Sequence, residues 1–204
     1  MEVGAQILDI TQRFRPDFVI AHLFGRSPAA AIKAFKSNGY PLSKVVGLVW
    51  ASSEADIDAA GGFSAAEGYH AMQFAGAGDE YPVRQQIKAM YKKEGKEPLD
   101  LMDKNTVYYN RGLLQAAIHV EGIRNALKLT GGKPPTGTDV KKGLEQIRGF
   151  TLDGLVPPLE ITPTDHEGGG WVQVFQVKGG KFVKETDWFR AYPEVVAAAV
   201  KKAE

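Results

Sequence analysis

The side chains that could bind a metal ion or carry acid–base catalysis are the histidines and the acidic residues near them. The four histidines, His22, His70, His119 and His166, are scattered, and within a predicted helix only His119 has a close acidic neighbour, Glu121. Residues two apart on a helix point about 200° apart, because one turn takes about 3.6 residues, so this pair cannot share an ion. Cysteine is absent as well. We therefore predict no metal site and no cofactor.

Signatures of catalysis are weak. The chain has no Gly-x-Ser-x-Gly elbow and no phosphate-binding Walker loop, and the glycines 168–170 do not lie between a strand and a helix. Asp165, His166 and Glu167 could form an acid–base cluster, but consecutive residues in a turn point apart. We predict a protein that is not an enzyme; a small α/β enzyme with an unrecognised site is the weaker alternative.

Composition narrows the class further. The 204 residues are 44% apolar and 24% charged, as in ordinary globular proteins, and 25 Lys and Arg against 24 Asp and Glu leave no basic stretch for nucleic acid. No apolar run approaches the roughly 18 residues that a membrane-spanning helix needs. Residues 1–5 lack the pattern of a signal peptide. We expect no nucleic-acid partner, and a chain that is truncated.

Helices and strands must position any site. Over residues 5–75, segments with helical periodicity alternate with short apolar runs, a pattern typical of α/β proteins with a parallel sheet. The run 18–24 predicts a buried strand, and the runs 45–51 and 69–75 predict two further strands, separated by helices.

Two helix starts have recognisable caps. Ser27 is predicted to cap a helix whose first residue is Pro28. Ser53, with Asp56 three residues later, predicts another short helix.

Long amphipathic helices dominate the middle of the chain. They are predicted around residues 83–94, 108–127 and 140–147. Their apolar stripes need a sheet to lie on, yet this part of the chain offers only one predicted edge strand, residues 155–161. We therefore expect that part of the protein is missing or that a partner supplies it. A hairpin, 171–177 and 181–183 around two glycines, and a helix over 193–203 end the chain.

The ends of the first two predicted strands are the expected ligand site. In open parallel sheets, ligands bind beyond the carboxyl ends of the strands, where loops and helix N-termini converge. This rule selects residues 22–27 and 49–53. The side chains selected for ligand contact are His22, Phe24, Arg26 and Trp50.

Each of these residues has a structural alternative. Phe24 and Trp50 could be core residues beneath the loops, and His22 could be a hydrogen-bonded structural histidine. Arg26 could clamp a carboxylate together with the free N–H groups of a helix N-terminus, or it could be a solvated surface residue.

Several motifs resemble those of one protein family. Residues 91–98, Tyr-Lys-Lys-Glu-Gly-Lys-Glu-Pro, the helix that starts at Tyr108 with Gly122 fourteen residues later, and the hairpin 175–183 followed by Trp188 occur in the family's order. The chain is similar to the C-terminal half of type I periplasmic solute-binding proteins of ABC transporters, of the branched-chain amino acid type. The resemblance implies an α/β fold with two lobes, each with a parallel sheet, whose N-terminal portion is missing here.

The resemblance also implies a domain arrangement. Residues 1–76 correspond to the second lobe, 77–168 to helices and an edge strand of the first lobe, and 169–204 to the hairpin and C-terminal helix of the second lobe. Glycines 76 and 78 and the segment 168–170 would be hinge crossings. The expected partners are a small ligand in the interlobe cleft, an ABC permease and the missing N-terminal half, and the expected location is the periplasm. A ligand-sensing regulatory domain of the same fold is the alternative.

The expected ligand follows from three positions. In the family an aromatic residue lies over the ligand where Phe24 stands, and Tyr108 corresponds to the cleft-facing start of the long helix, although it could equally be a core tyrosine. The next loop of the family often carries a carboxylate for an amino acid's ammonium, and Trp50 stands there instead. An unpaired buried ammonium is costly, so we expect an aromatic or other apolar carboxylate rather than a branched-chain amino acid.

Overall fold

A computed structural model describes residues 3–203 and has the expected mixture of helices and strands. The helices are α1 (Gly4–Asp9), α2 (Ser27–Ser37), α3 (Glu54–Ala59), α4 (Pro82–Lys93), α5 (Leu101–Lys104), α6 (Thr106–Leu129), α7 (Gly137–Leu144) and α8 (Pro193–Ala203). The strands are β1 (Val19–Ala21), β2 (Val45–Gly47), β3 (His70–Gln73), β4 (Gln173–Lys178) and β5 (Lys181–Lys184). A π-helical turn, Ile10–Phe14, extends α1.

The five strands form one sheet in the order β1-β2-β3-β4-β5. The first three strands are parallel, with Val19 opposite Val45 and Val46 opposite His70, and β4 and β5 are antiparallel to their neighbours. Helix α2 crosses between β1 and β2, as parallel pairing requires. The predicted α/β fold with a parallel sheet is confirmed.

The core of this sheet lies against α2. Ile32 and Phe35 of α2 are buried in one cluster with Val45, Tyr69 and Val177 from the sheet and its loops. Residues of α1, α3 and β1 belong to the same cluster, so three strands and three helices bury a common apolar layer.

The hairpin and one of the predicted caps are confirmed. Gly179 and Gly180 join β4 to β5 with φ values of 58° and 86°, the positive values that a two-residue turn of this hand requires. Ser53 and Asp56 exchange hydrogen bonds in a capping box at the start of α3.

The prediction that Ser27 caps α2 is wrong by one residue. Arg26 occupies the cap position without a side-chain capping bond, and Ser27 is already helical, so Pro28 is the second helical residue. Pro28 still suits the first turn, because the N–H groups there have no helical acceptor.

Two predicted strands differ from expectation. The run 18–24 forms only the three residues of β1, at the edge of the sheet, and this strand is buried on one face only: Ala21 is 6% exposed, whereas Ile20 is 71% exposed. Residues 155–161 do not form a strand, although Leu159 makes an isolated bridge to Phe150. Pro157 and Pro158 have no N–H groups, which prevents a continuous ladder.

The chain divides into two compact units. One runs to Arg111 and includes Gln173–Asp187, and the other comprises Gly112–Val172 and the chain from Trp188 onward. The division into lobes at 76/77 and 168/169 stays a prediction. Within residues 3–203 there is no helix that is both long and apolar enough to cross a membrane.

Candidate functional site

The residues selected at the end of β1 and β2 lie on the surface. His22 is exposed directly after β1, and Phe24 follows it with 70% of its surface exposed. Trp50, in the single 3₁₀ turn Val49–Ala51 after β2, is 56% exposed. Neither aromatic residue is part of the core of this chain, and their role in ligand binding stays a prediction.

Arg26 and Tyr108 line a common groove with a volume of ≈ 540 Å³. The groove lies beside α2 and α3, and its remaining lining residues are Gly25, Ala29, Ala30, Lys33, Ala55, Asp56 and Ala59. Four alanines leave space between the two helices because their side chains are short. The structure thus brings together two of the five selected residues, whereas His22, Phe24 and Trp50 do not line this groove.

The groove carries charges of both signs. Arg26 and Lys33 are exposed cations on one side, and Asp56 is a mostly buried carboxylate. Burial raises the pKa of Asp56 above its usual value, although hydrogen bonds from the backbone and hydroxyl of Ser53 and the charge of Arg111 act in the opposite direction. Asp56 already accepts two hydrogen bonds as the partner in the capping box.

Buried hydrogen bonds stabilise the 3₁₀ turn that carries Trp50. Ser52 donates its hydroxyl to the carbonyls of Gly47 and Leu48, both at 2.7 Å. Tyr69 donates its hydroxyl to the Ala51 carbonyl at 2.9 Å, and a side chain at position 47 would clash with that hydroxyl. Gly47 therefore permits the close approach that closes this turn.

Helix α6, which carries Tyr108, is fixed at its N-terminus by a buried acid. Glu54 accepts a hydrogen bond from the Val107 backbone N–H at 3.2 Å and another from the Thr106 hydroxyl. A carboxylate at a helix N-terminus satisfies free N–H groups and interacts favourably with the helix dipole. This contact places Tyr108, which is 43% exposed, at the groove.

The predicted hinge segment 76–78 also contacts α6. Asn110 donates its amide to the carbonyls of Gly76 and Gly78, at 2.7 and 2.9 Å, and Gly78 donates its N–H to Thr106 at 2.8 Å. Its role as a hinge stays a prediction.

Arg111 of α6 is a buried residue that contacts both the Trp50 turn and Tyr108. Arg111 is 5% exposed, and its Nη2 donates to the Val49 carbonyl at 2.9 Å and to Gln73 Oε1 at 2.7 Å. The guanidinium also stacks against Phe74 and Tyr108, at 4.9 and 5.7 Å from the ring centroids. Burial lowers the pKa of Arg111, and the charges of Glu54 and Asp56 oppose that shift.

Sequence reasoning missed the supporting residues Glu54, Gln73, Asn110 and Arg111. One signal was present, because Arg111 follows Tyr108 by three residues and residues at this spacing share a helix face. The other contacts join residues 21 to 62 positions apart in sequence. No local pattern identifies such pairs.

The histidine and acidic residues considered for catalysis have other partners. His166 Nε2 lies 3.1 Å from Glu145 Oε1, and Asp165 accepts a hydrogen bond from the Glu167 N–H at 2.9 Å, which stabilises the turn. Over the described part of the chain, no group of three or more His, Asp or Glu side chains could hold a metal ion.

Comparisons with known proteins identify relatives of the whole chain. A family model described as periplasmic binding protein matches residues 2–181. A crystal structure described as an ABC transporter permease from the Pseudomonas fluorescens group has a TM-score of 0.82 and 33% sequence identity, over 99% of this chain and 52% of that one. No curated protein sequence matches the chain significantly.

Two more distant structures share the fold. A branched-chain amino acid ABC transporter from Thermus thermophilus with bound valine has a TM-score of 0.74 and 23% identity, over 98% of this chain and 52% of that chain. A fatty acid ABC transporter substrate-binding protein from Thermomonospora curvata has a TM-score of 0.67 and 19% identity, over 94% and 47%. The chain therefore spans about half the length of these structures.

Proposed function

Because this chain belongs to the periplasmic binding protein family, we propose that it is part of the solute-binding component of an ABC transporter. In this function the protein captures a small ligand and delivers it to a permease in the inner membrane. The observation that carries the proposal is the surface at the C-terminal ends of β1 and β2, where Phe24 and Trp50 are exposed. Exposed aromatic side chains beyond the carboxyl ends of parallel strands are typical of a ligand site.

The proposed ligand is a small aromatic or apolar carboxylate. Phe24, Trp50 and Tyr108 offer apolar faces for stacking, and Arg26, at the start of α2, offers a cation for a carboxylate. Asp56 is the single carboxylate in the lining of the groove, and it is already engaged by Ser53. Both of these bonds use Oδ2, and Asp56 is only 8% exposed. An amino acid's ammonium would thus have only this mostly buried carboxylate as an anionic partner among the lining residues.

The related structures leave the ligand open, because one contains valine and another belongs to a fatty acid transporter. Function on a shared fold depends on the residues of the site rather than on the fold. The proposed ligand class therefore depends on Trp50, which replaces the carboxylate that the resemblance to branched-chain amino acid receptors implies.

The proposed partners are the permease and the other half of the receptor. The chain spans 52% of the relative with 33% identity, and the strand β1 has a free edge with Ile20 exposed. We propose that the preceding half of the full-length protein covers this edge and completes the cleft in the periplasm. His22, directly after β1, would then border the cleft.

A thermal-shift screen of the full-length protein tests the ligand class. Amino acids, aromatic acids and fatty acids are the panel, because a tight ligand raises apparent stability, by about 2.7 kcal/mol at a concentration 100 times its Kd. Aromatic acids should give the largest shifts. A larger shift with leucine than with any aromatic acid would refute the proposed class, and no shift with any compound would refute solute capture from this panel.

Variants of the two exposed aromatic residues test the site. Phe24→Ala and Trp50→Ala should each weaken binding of the best ligand about tenfold, or about 1.4 kcal/mol, through lost stacking. Phe14→Ala is the matched control, because Phe14 is 67% exposed but lies in the turn after α1. Equal affinities of all three variants, measured by titration calorimetry, would contradict the assignment.

A further inference from the structure

We propose that Arg111 is a positioning residue of this site, which fixes the direction of Tyr108 and of the turn that carries Trp50. The inference rests on the proposed function, because it concerns how two ligand-facing aromatic residues are held. Arg111 itself is buried and acts through its neighbours.

The first support is the pair of hydrogen bonds from one nitrogen. Nη2 of Arg111 donates to the carbonyl of Val49, the residue before Trp50, and to Oε1 of Gln73 at the end of β3. Gln73 is fully buried and in turn donates from Nε2 to the Ser52 carbonyl at 2.5 Å. Both ends of the Trp50 turn are therefore connected to the last residue of β3 through these two side chains.

The second support is the stacking of the guanidinium. The ring of Tyr108 and the ring of Phe74 both lie near the guanidinium carbon of Arg111, at 5.7 and 4.9 Å. A cation near an aromatic face is attracted to it, more strongly where water is excluded. Arg111 thus restricts Tyr108 on α6 and anchors the Trp50 turn after β2 at the same time.

The third support is that an arginine occupies this buried position although two of its nitrogens have no partner within residues 3–203. Nε and Nη1 of Arg111 have no hydrogen-bond partner among the described residues, and such unpaired buried donors are costly. A smaller apolar residue would avoid this cost. What the arginine adds over such a residue is the two hydrogen bonds of Nη2 and the stacking of the guanidinium on Phe74 and Tyr108.

Arg84 is a matched control within the same compact unit. It is also fully buried, donates to a backbone carbonyl, that of Met102, and stacks on a tyrosine of α6, Tyr109, at 4.3 Å from the ring centroid. Its polar contacts are with Met102 and Asp103 and not with the Trp50 turn. Arg84→Met therefore reproduces the loss of a buried, stacked arginine without the loss of the proposed positioning.

The test measures the mobility of Trp50 in the 204-residue chain, without any ligand. Trp171→Phe and Trp188→Phe leave Trp50 as the single tryptophan, and time-resolved fluorescence anisotropy reports its motion. In Arg111→Met the fast part of the decay should grow roughly twofold, since freed side chains move in picoseconds to nanoseconds. Arg111→Lys, which can donate to both oxygens from one nitrogen, should restore most of the wild-type decay, and Arg84→Met should leave it unchanged.

Aromatic NMR relaxation of Tyr108 in the same variants gives the second readout, and here too Arg111→Met should increase motion and Arg84→Met should not. If both rings are as rigid in Arg111→Met as in the wild type, the proposal is overturned. It is also overturned if Arg84→Met loosens Trp50 equally, because the effect would then be general destabilisation. If Arg111→Met does not fold, Arg111→Gln carries the same test.

The outcome is independent of the ligand. A failed ligand screen would count against the proposed function. It would not affect the proposed dependence of the rigidity of Trp50 and Tyr108 on Arg111, because that test uses no ligand. Unchanged mobility would remove the role of Arg111, and ligand binding by Phe24 and Trp50 would still stand.

Discussion

Asp56 belongs both to the capping box of α3 and to the lining of the groove. Burial raises its pKa and outweighs the hydrogen bonds from Ser53, which favour the charged form. Between the ordinary pKa and the raised pKa, the folded chain binds more protons at this carboxyl than the unfolded chain. The stabilisation that Asp56 provides is therefore fully present at pH values below the pKa of the unfolded chain, about 4. It is lost as the pH rises through the raised pKa of the folded chain.

The Asp56→Asn variant should lose this part of the pH dependence. Its free energy of unfolding should decline less than that of the wild type as the pH rises from about 4, because the neutral amide does not ionise. Urea unfolding at a series of pH values measures the difference. Asp58→Asn, an exposed change in the same helix, should keep the wild-type slope, and an unchanged slope in Asp56→Asn would show that Asp56 is not responsible.

At the scale of elements, helices α6 and α7 approach closely through glycine. A side chain at Gly143 of α7 would clash with the carbonyl of Gly122 and come within 2.7 Å of the Ala126 nitrogen, both in α6. Asn125 of α6 also donates its side-chain amide to the Gly143 carbonyl at 3.2 Å. The backbones can approach this closely only because position 143 has no side chain.

Gly143→Ala should therefore destabilise the chain by about 1–3 kcal/mol through overpacking. Gly112→Ala in α6 is the matched control, because a side chain there meets nothing within 4 Å, and it should stabilise the helix by about 0.5–1 kcal/mol. Thermal and urea unfolding measure both values. Stabilisation by Gly143→Ala would contradict the close contact between the helices.

Local patterns predicted several elements correctly and failed on three features, which are the cap of α2, the burial of β1 and the strand over residues 155–161. The Ser53–Asp56 capping box and the Gly179–Gly180 turn depend on neighbouring residues, so the sequence contains what forms them. Whether the second face of β1 is covered depends on what packs against that face, and no periodicity reports that. Pro157 and Pro158 predict an edge strand, whereas in the structure they prevent a strand altogether.

At the scale of the whole molecule, the free edge of β1 is the feature with the largest consequence. β1 pairs with β2 alone among the described strands, and its residue Ile20 is 71% exposed. A free, apolar strand edge is a template for pairing with another strand. In the proposed function the other half of the receptor covers it.

The chain alone should accordingly self-associate, and Ile20→Lys should reduce this association, because a charge on an edge strand opposes strand pairing. Sedimentation velocity at several concentrations measures the effect. Val195→Lys in α8 is the control, since Val195 is 59% exposed but is not in the sheet. Addition of the N-terminal half of the full-length protein should suppress association of the wild type; equal association with and without it would refute this pairing.

The sequence by itself predicted most of the order of helices and strands, the parallel sheet, the similarity to periplasmic binding proteins and the candidate residues Phe24, Trp50 and Tyr108. The elements follow from periodicity and turn residues, and Phe24 and Trp50 from their place after predicted strands. Tyr108 was selected through the resemblance to the family, which rests on motifs that are likewise local in the chain. Only the tertiary structure decided that Arg26 and Tyr108 share a groove, that Glu54 fixes the start of α6, and that Arg111 connects Tyr108 with the Trp50 turn. Such contacts join residues tens of positions apart, so they exist only after the sheet and α6 have brought those residues together.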